Sequence, residues 1–379
     1  MADSRLAEAA HSSFARHETF APRFGWLHKA YMQVKDNPAA FLAEDAPVLL
    51  GVGKNMVHAM RYWSKAFKLT REHADPAGKT KAQYASPTWE ARWLLDEKDG
   101  ADPYLEEPGS LWLLHWWLVS SRPGAKCWAP AWYTAFHLAP FSRFTVADMT
   151  QVVTRHVNFS FSDGPVEASI TRDVECLTKM YARTPVEQSG SRATYEDLLA
   201  CPFRELDLLT SVGTRGKQEW QFTTGARTSL PAHVLVYACL DYAARDTEGS
   251  GSISLARLAN EPGAPGRAFR VREPEIVAAL DKVAAGRPEL NRVDAVGQRT
   301  MSFSSDPMAL AWDILDEQYD YVTRRPGFPT RDEWSAQYPQ LAEAEEAEKA
   351  EKAEKAEKAE KAERKSQDHQ QQFTTQENA

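Results

Sequence analysis

The chain has 379 residues and a formal net charge of −8, so it is long enough for two or three domains and too acidic to coat DNA nonspecifically. Its four cysteines lie far apart without a CxxC pair, which argues against a zinc ribbon or a disulfide scaffold. No apolar signal segment opens the chain, and the most apolar stretch, 111–119, is far shorter than the ~20 residues of a membrane span. We therefore expect a cytoplasmic protein with no membrane partner.

The first predicted unit, residues 14–182, is a helical domain rich in tryptophan. Nine of the twelve tryptophans lie between positions 26 and 132, which predicts one aromatic core. Apolar spacing predicts helices at 27–34, 89–95, 110–120, 132–137 and 171–181. Residues 157–163 alternate between apolar and polar side chains, which predicts a strand.

Within this unit, residues 50–68 predict a helix with two different faces. On a helical wheel, one stripe is basic and the opposite stripe holds Met56, Met60, Trp63 and Phe67. The basic stripe consists of Lys54, His58, Arg61, Lys65 and Lys68. A glycine-containing turn at 51–53 and a short apolar run at 46–50 precede the helix, so residues 38–70 predict a helix-turn-helix-like module. Pro47 predicts that its first helix is short or bent.

This pattern makes DNA the predicted partner. Lys54, His58, Arg61, Lys65 and Lys68 can neutralise phosphates, and Asn55 has the groups that read an adenine edge. Residues 14–71 hold nine Lys/Arg and four Asp/Glu, so the local charge of 9 − 4 = +5 contrasts with the acidic chain. The alternative is a core helix with an ordinary solvated basic face. GVGK at 51–54 lacks the spacing and the Ser/Thr of a phosphate loop, so no nucleotide cofactor is expected.

A second unit, residues 195–325, follows an exposed linker at 183–194 and is predicted to be a smaller α+β domain. Its predicted strands are 210–212, 219–222, 268–271 and 299–303, and its predicted helices are 231–244, 254–259 and 273–283. Helices followed by a strand pair fit a winged-helix-like module and, equally, any small α+β domain. The fold class is therefore mainly α with small β elements.

The C-terminal segment, residues 340–379, is a charged tail. Its Glu, Lys and Ala residues repeat every three positions and form Glu–Lys pairs at i,i+4 spacing without an apolar stripe. This composition predicts a solvated segment that is partly helical or disordered.

Four sequence blocks resemble a known bacterial family. The blocks are FARHETFAPRFGWLHKAY, LGVGKNMVHAMRYW, DPYLEEPGSLWLLHWWLV and SLPAHVLVYACLDY. They are similar to proteins encoded beside PAPS-reductase-like genes in DNA phosphorothioation operons, among them the SspB-like DNA-nicking subunits of the single-stranded phosphorothioation (Ssp) defence system. The resemblance covers about residues 14–325. It implies an endonuclease (a hydrolase) of anti-phage defence whose partners are a cysteine desulfurase, a PAPS-reductase-like ATP pyrophosphatase and an ATPase.

A DNA nickase needs a general base, cations that contact the phosphate and, in most such enzymes, a divalent metal ion such as Mg²⁺ or Mn²⁺. The best local constellation is Arg16-His17-Glu18, followed by Arg23 and Lys29. Here His17 is the predicted catalytic base and Glu18 the predicted catalytic metal ligand, while Arg16, Arg23 and Lys29 are predicted DNA contacts. The alternative is that Glu18 pairs with Arg16 or Arg23 and merely fixes the loop.

Other polar residues favour structural roles. Asp102 is a good turn starter, with Glu106 and Glu107 near the start of the next helix, and His115 lies among leucines and tryptophans. We therefore expect metal-assisted phosphodiester hydrolysis at residues 16–29. A noncatalytic DNA-recognition adaptor that recruits sulfur-transfer enzymes and a transcriptional regulator remain alternatives, because a helix-turn-helix serves both.

Overall fold

The computed structural model describes residues 5–75, 78–122, 125–183, 201–214, 217–246, 251–295 and 297–341. The chain begins with α1 (Arg5–Ala9), α2 (Trp26–Asp36), α3 (Ala46–Leu50), α4 (Lys54–Ala66), β1 (Thr70–His73) and β2 (Tyr84–Pro87). The middle contains α5 (Trp89–Leu95), α6 (Pro108–Val119), α7 (Pro130–Tyr133), β3 (Arg143–Phe144), α8 (Val146–Ser160), α9 (Glu167–Tyr181) and β4 (Ala182–Arg183).

Two short helical segments interrupt the rest of the chain, a 3₁₀ helix at Pro202–Leu206 and another at Val322–Arg324. Between and beyond them lie β5 (Leu209–Thr214), β6 (Lys217–Phe222), α10 (Ala232–Asp246), β7 (Ser252–Ser254), α11 (Leu255–Asn260), α12 (Pro265–Phe269), α13 (Glu273–Ala284), β8 (Leu290–Ala295), β9 (Gln298–Phe303), α14 (Pro307–Gln318) and α15 (Arg331–Gln337). The predicted class, mainly α with small β elements, is confirmed.

A helix-turn-helix followed by a β-hairpin forms the N-terminal part of the fold. Pro47 lies in the first turn of the five-residue α3, and Gly51 ends that helix in the left-handed region at φ 65°. Helix α4 then buries Val57, Met60 and Trp63. Strands β1 and β2 pair antiparallel, with Thr70 opposite Pro87. This order of elements is that of a winged helix, in which the hairpin is the wing.

The C-terminal part likewise has helices followed by a β-hairpin. Helix α10 is followed by β7, α11, α12, α13 and the hairpin β8–β9, and the three strands form a sheet in the order β7-β9-β8. Helix α10 packs against α13 and α14. This order of elements is compatible with the winged-helix-like alternative for the second unit, whereas the hairpin after α4 was not predicted.

Helix α6 is the central element. Every residue from Gly109 to Val119 is buried, as a helix apolar on all sides requires. The indole N–H groups of its tryptophans all donate hydrogen bonds: Trp112 to Ser229 Oγ at 3.1 Å, Trp116 to Asp241 Oδ2 at 2.7 Å and Trp117 to Tyr237 Oη at 3.1 Å. Helix α6 thus fixes α10 to the N-terminal half of the molecule.

Two predicted strands are wrong, and the predicted domain boundary does not divide the core. The capping box of Thr145 and Asp148 starts α8, which continues to Ser160, so residues 157–160 are helical. Predicted strand 268–271 begins inside α12. Strand β4, which ends at the first residue of the predicted linker, pairs with β5 after the linker, and one buried core includes both halves. Linker residues 184–194 and tail residues 342–379 lie outside the described part of the chain.

A close approach between α11 and α12 depends on Gly266. A Cβ atom at this position would lie 2.4 Å from the carbonyl oxygen of Ala259. We expect Gly266→Ala to lower the free energy of unfolding by roughly 1–3 kcal/mol, because backbone must shift. The control Gly53→Ala, where a Cβ meets no atom within 4 Å, should change it by less than ~1 kcal/mol. Urea unfolding of both variants measures the difference, and equal stabilities would contradict this packing.

Candidate nucleic-acid interface

The exposed surface of α4 is confined to its first two turns. Lys54, Asn55 and His58 are exposed, whereas Arg61 and Lys65 are partly buried. Gly53 caps the helix without a side-chain hydrogen bond, so the first backbone N–H groups point toward this end of the surface. A positive helix terminus beside a lysine favours an anion.

A strained loop, residues 15–19, lies against this surface. Ala15, Glu18 and Thr19 adopt positive φ values of 53°, 49° and 67°, which are costly for residues other than glycine. Asp173 of α9 holds the loop, because its Oδ1 accepts hydrogen bonds from the Ala15 N–H at 2.7 Å and from His17 Nε2 at 2.9 Å. The Thr19 N–H donates to His17 Nδ1 at 3.1 Å.

His17 is therefore not accessible to DNA. Its side chain is 0% exposed, and both of its ring nitrogens are engaged inside the protein, one with Asp173 and one with the backbone of Thr19. The prediction that His17 is the catalytic base is wrong, because a base must reach the proton that it removes. The buried imidazole instead fixes the neighbouring residues Arg16 and Glu18 on the surface, where both are exposed.

Glu18 approaches helix α4 rather than the arginines of its own segment. Its Oε1 lies 3.9 Å from Nδ1 of His58, and both side chains are about half exposed, at 42% and 50%. Arg16 is near enough to Lys65 of α4 for its positive charge to contribute, after burial and with Arg61, to lowering the pKa of Lys65. The structure thus brings Glu18 to His58, which lie 40 positions apart in sequence.

Arg61 and Lys65 join α4 to the wing. Both form ion pairs with Glu72 of β1, and Arg61 Nη2 also donates to the carbonyl of Gln83 at 2.8 Å. Burial alone would raise the pKa of the Glu72 carboxyl, but the charges of Lys65 and Arg61 lower it. These two cations therefore have an anionic partner within the protein and help to position the wing, while their predicted DNA contacts stay predictions.

The wing presents two lysines that the sequence analysis did not select, Lys79 and Lys81. Both are exposed in the segment between β1 and β2. Asp75 orders this segment by accepting hydrogen bonds from the backbone N–H groups of Lys79 and Thr80 at 3.1 and 2.9 Å. These lysines would have indicated a wing only if strands β1 and β2 had been predicted from the sequence, and they were not. We call Arg16, Lys54, Asn55, His58, Lys79 and Lys81 the α4–wing face.

Lys29 and Arg23 border this face. Lys29 is exposed, and its Nζ lies 3.5 Å from the carbonyl oxygen of Leu50, at the negative end of α3. Arg23 is partly buried, with its guanidinium carbon 5.8 Å from the ring centroid of Phe20 and 5.6 Å from that of Trp26. The predicted DNA contacts of both residues stay predictions.

Lys68 does not belong to the basic face. Helix α4 ends at Ala66, and Lys68 adopts φ 62°, so the helical wheel that placed it beside Lys65 no longer applies. Its ammonium group donates to the carbonyl oxygens of Trp117 and Ser120 at the end of α6. The prediction that Lys68 contacts DNA is therefore wrong.

Glu18 is the one residue that was predicted as a metal ligand. Within the ranges that the structure describes, no group of three or more His, Cys, Asp or Glu residues is arranged to hold a metal ion. Magnesium commonly keeps several water ligands and binds through one or two carboxylates, so an exposed Glu18 beside a phosphate oxygen is chemically suitable as a magnesium ligand.

The described residues include no helix long and apolar enough to cross a membrane.

The second winged helix differs in charge. Its wing arginine Arg292 pairs with Asp281 of α13 and with Asp294, and Arg299 pairs with Glu273 of α13. These arginines are neutralised by carboxylates on the helix and hairpin that correspond to α4 and its wing. We therefore keep the α4–wing face as the candidate interface.

Burial makes Lys68 a source of pH-dependent stability. Burial, with the nearby charges of Arg122 and Arg245, lowers the pKa of Lys68 to about 7. Between about pH 7 and 10 the unfolded lysine retains a proton that the folded lysine loses, so stability rises with pH in this window. We expect wild type to gain stability relative to Lys68→Met across that window in urea titrations. Parallel pH profiles of the two proteins would contradict the assignment.

Comparison with known proteins agrees with the sequence resemblance. Residues 14–319 match the family described as "Protein of unknown function (DUF4007)". No curated protein matches the chain. The crystal structure of SspB is 70% identical, covers 91% of this chain and 99% of its own, and superposes with a TM-score of 0.86. The magnesium ion-bound crystal structure of SspB is 71% identical with the same coverages and a TM-score of 0.87. The chain therefore belongs to the DUF4007 family and is an SspB-like protein.

Proposed function

We propose that this protein binds DNA through the α4–wing face and nicks one strand with the help of a divalent metal ion, as part of the Ssp phosphorothioation system. The observation that supports this proposal most directly is the joining of a basic helix terminus and a lysine-bearing wing on one surface. Helix-turn-helix proteins place the second helix in the major groove. Here that helix presents Lys54, Asn55 and His58, and the wing reaches the adjacent backbone with Lys79 and Lys81.

The division of roles follows from the side chains. Lys54, Lys79, Lys81 and Arg16 neutralise phosphates and set the register, whereas Asn55 reads a base edge. The acidic remainder of the chain, which gives the net charge of −8, repels other approaches of the duplex.

DNA binding tests the α4–wing face. We expect the Lys54→Ala/Lys79→Ala/Lys81→Ala variant to bind duplex DNA more weakly, with the salt dependence of log K reduced by about one unit for each lost phosphate contact. Lys282→Ala, which removes an exposed lysine from α13 of the second winged helix, is the matched control and should retain the wild-type slope. Fluorescence anisotropy from 50 to 300 mM salt supplies both quantities. An unchanged affinity and slope in the triple variant would exclude this face.

Metal-assisted nicking is supported by the relative that binds a magnesium ion. In this proposal Glu18 helps to hold the ion against a phosphate oxygen, where the ion stabilises the charge that develops during hydrolysis. His58, exposed beside Glu18, takes the role of general base that buried His17 cannot have. Arg16 contacts the same phosphate.

Conversion of supercoiled plasmid to open circles tests this chemistry. We expect wild type to nick with Mg²⁺ or Mn²⁺ and to be inactive in EDTA. Glu18→Gln and His58→Ala should each lower the nicking rate by about 10²-fold or more, and Glu18→Gln should do so while DNA affinity changes little. Glu175→Gln, an exposed carboxylate of α9, is the control and should nick normally.

The alternatives predict different results in the same assay. Metal-independent binding without open circles, for wild type, would place the protein among noncatalytic adaptors that recruit sulfur-transfer enzymes, or among transcriptional regulators. Nicking that survives in Glu18→Gln and His58→Ala would place the chemistry elsewhere. In the system that we propose, the partners are a cysteine desulfurase, a PAPS-reductase-like ATP pyrophosphatase and an ATPase.

A further inference from the structure

Exposed apolar side chains concentrate beside the helix-turn-helix. Of the eight large apolar side chains that the described part of the chain exposes, four lie between residues 24 and 49. Val48 and Leu49 on α3 are 81% and 53% exposed, and Leu42, just before α3, is 38% exposed. Surface apolar residues are common singly, but a cluster on one short helix indicates a contact surface.

The charges at the two ends of α3 are opposite. Glu44 and Asp45 are exposed at its beginning, and Lys29 is exposed at its end, 3.5 Å from the carbonyl oxygen of Leu50. The apolar pair Val48 and Leu49 lies between them. We call this surface, from Leu42 to Leu49 with Lys29, the α3 face.

We propose that the α3 face docks against the same face of a second copy of this chain. A two-fold axis through Val48 and Leu49 sets the two α3 helices antiparallel, with apolar side chains at the centre. The acidic beginning of each helix then meets Lys29 of the other copy. A surface that is apolar in the middle and oppositely charged at its ends is self-complementary, which is the requirement for an isologous interface.

Other occupants fit less well. Glu44 and Asp45 repel the phosphates of DNA, which the neighbouring α4–wing face attracts instead. Tail residues 342–364 are only Ala, Glu, Lys and Arg, so that segment has no large apolar side chain to cover Val48 and Leu49. A contact built around one short helix and its flanks is small, so we expect a dimer with a dissociation constant in the micromolar range.

The first experiment is sedimentation velocity of the full-length protein, without DNA, from about 1 to 100 µM. We expect a monomer–dimer equilibrium for wild type and a monomer throughout for Val48→Asp. Phe159→Asp is the matched control, since Phe159 is 65% exposed on α8, which is not part of the α3 face. It should dimerise like wild type. Because Val48 touches little in the monomer, both variants should keep the wild-type melting temperature.

Charge reversal identifies the second copy as the occupant. Lys29→Glu alone and Asp45→Lys alone each place like charges together across the axis, and each should weaken dimerisation about tenfold or more. The double variant restores opposite charges and should recover most of the wild-type affinity. Such recovery requires that the two residues face each other between copies.

Any of three results would overturn the proposal. Wild type that remains monomeric at about 100 µM would show that the α3 face does not pair with itself. A dimer that Val48→Asp leaves intact, or a double variant no tighter than the single variants, would place the interface elsewhere. Since the measurement omits DNA, its failure is distinct from failure of the proposed DNA binding.

Discussion

The burial of α6 on all sides is the constraint from which the rest of the structure follows. A helix with tryptophan at 112, 116 and 117 gains much from leaving water, but each indole N–H needs an acceptor once buried. Asp241 and Tyr237 of α10 supply two acceptors and Ser229 the third. His115 is satisfied likewise, by Tyr181 at 2.7 Å and the carbonyl of Ala268 at 2.9 Å. These bonds orient α9, α10 and α12 around one buried core that includes residues of both halves of the chain.

The candidate site depends on this core through one carboxylate. Asp173 extends from α9, itself packed in the interior, and binds both the backbone of Ala15 and the imidazole of His17. A strained loop persists only where its surroundings impose it, and these bonds do so. The alternation of one buried and two exposed residues then presents Arg16 and Glu18 to solvent beside His58. His17 therefore contributes to the candidate site by holding its neighbours Arg16 and Glu18 in place, although its own side chain is buried and cannot touch a substrate.

The two winged helices illustrate how charge, and not topology, decides what a shared framework can bind. Both have a helix followed by a hairpin, but the first exposes cations at its helix terminus and wing while the second pairs its wing arginines with acids. Within the first unit the surface is divided again. The α4–wing face is basic and polar, whereas the adjoining α3 face is apolar with acids at one end. Fold alone would assign the same role to all of these surfaces.

The sequence by itself determined the local elements whose signals are short in range. The period of apolar residues predicted α4, α5, α6 and α13, and Pro47 predicted that α3 is short. The prediction that Asp102 forms a turn is confirmed, since its carboxylate accepts hydrogen bonds from the backbone N–H groups of Glu106 and Glu107. Only the tertiary structure decided which polar groups are available for chemistry. His17 and Lys68 were predicted to be functional because their partners lie far away along the chain. Asp173 binds His17, and the end of α6 binds Lys68, from about 160 and 50 positions away respectively. The same long-range packing brought Glu18 to His58, a pairing that no spacing along the chain encodes.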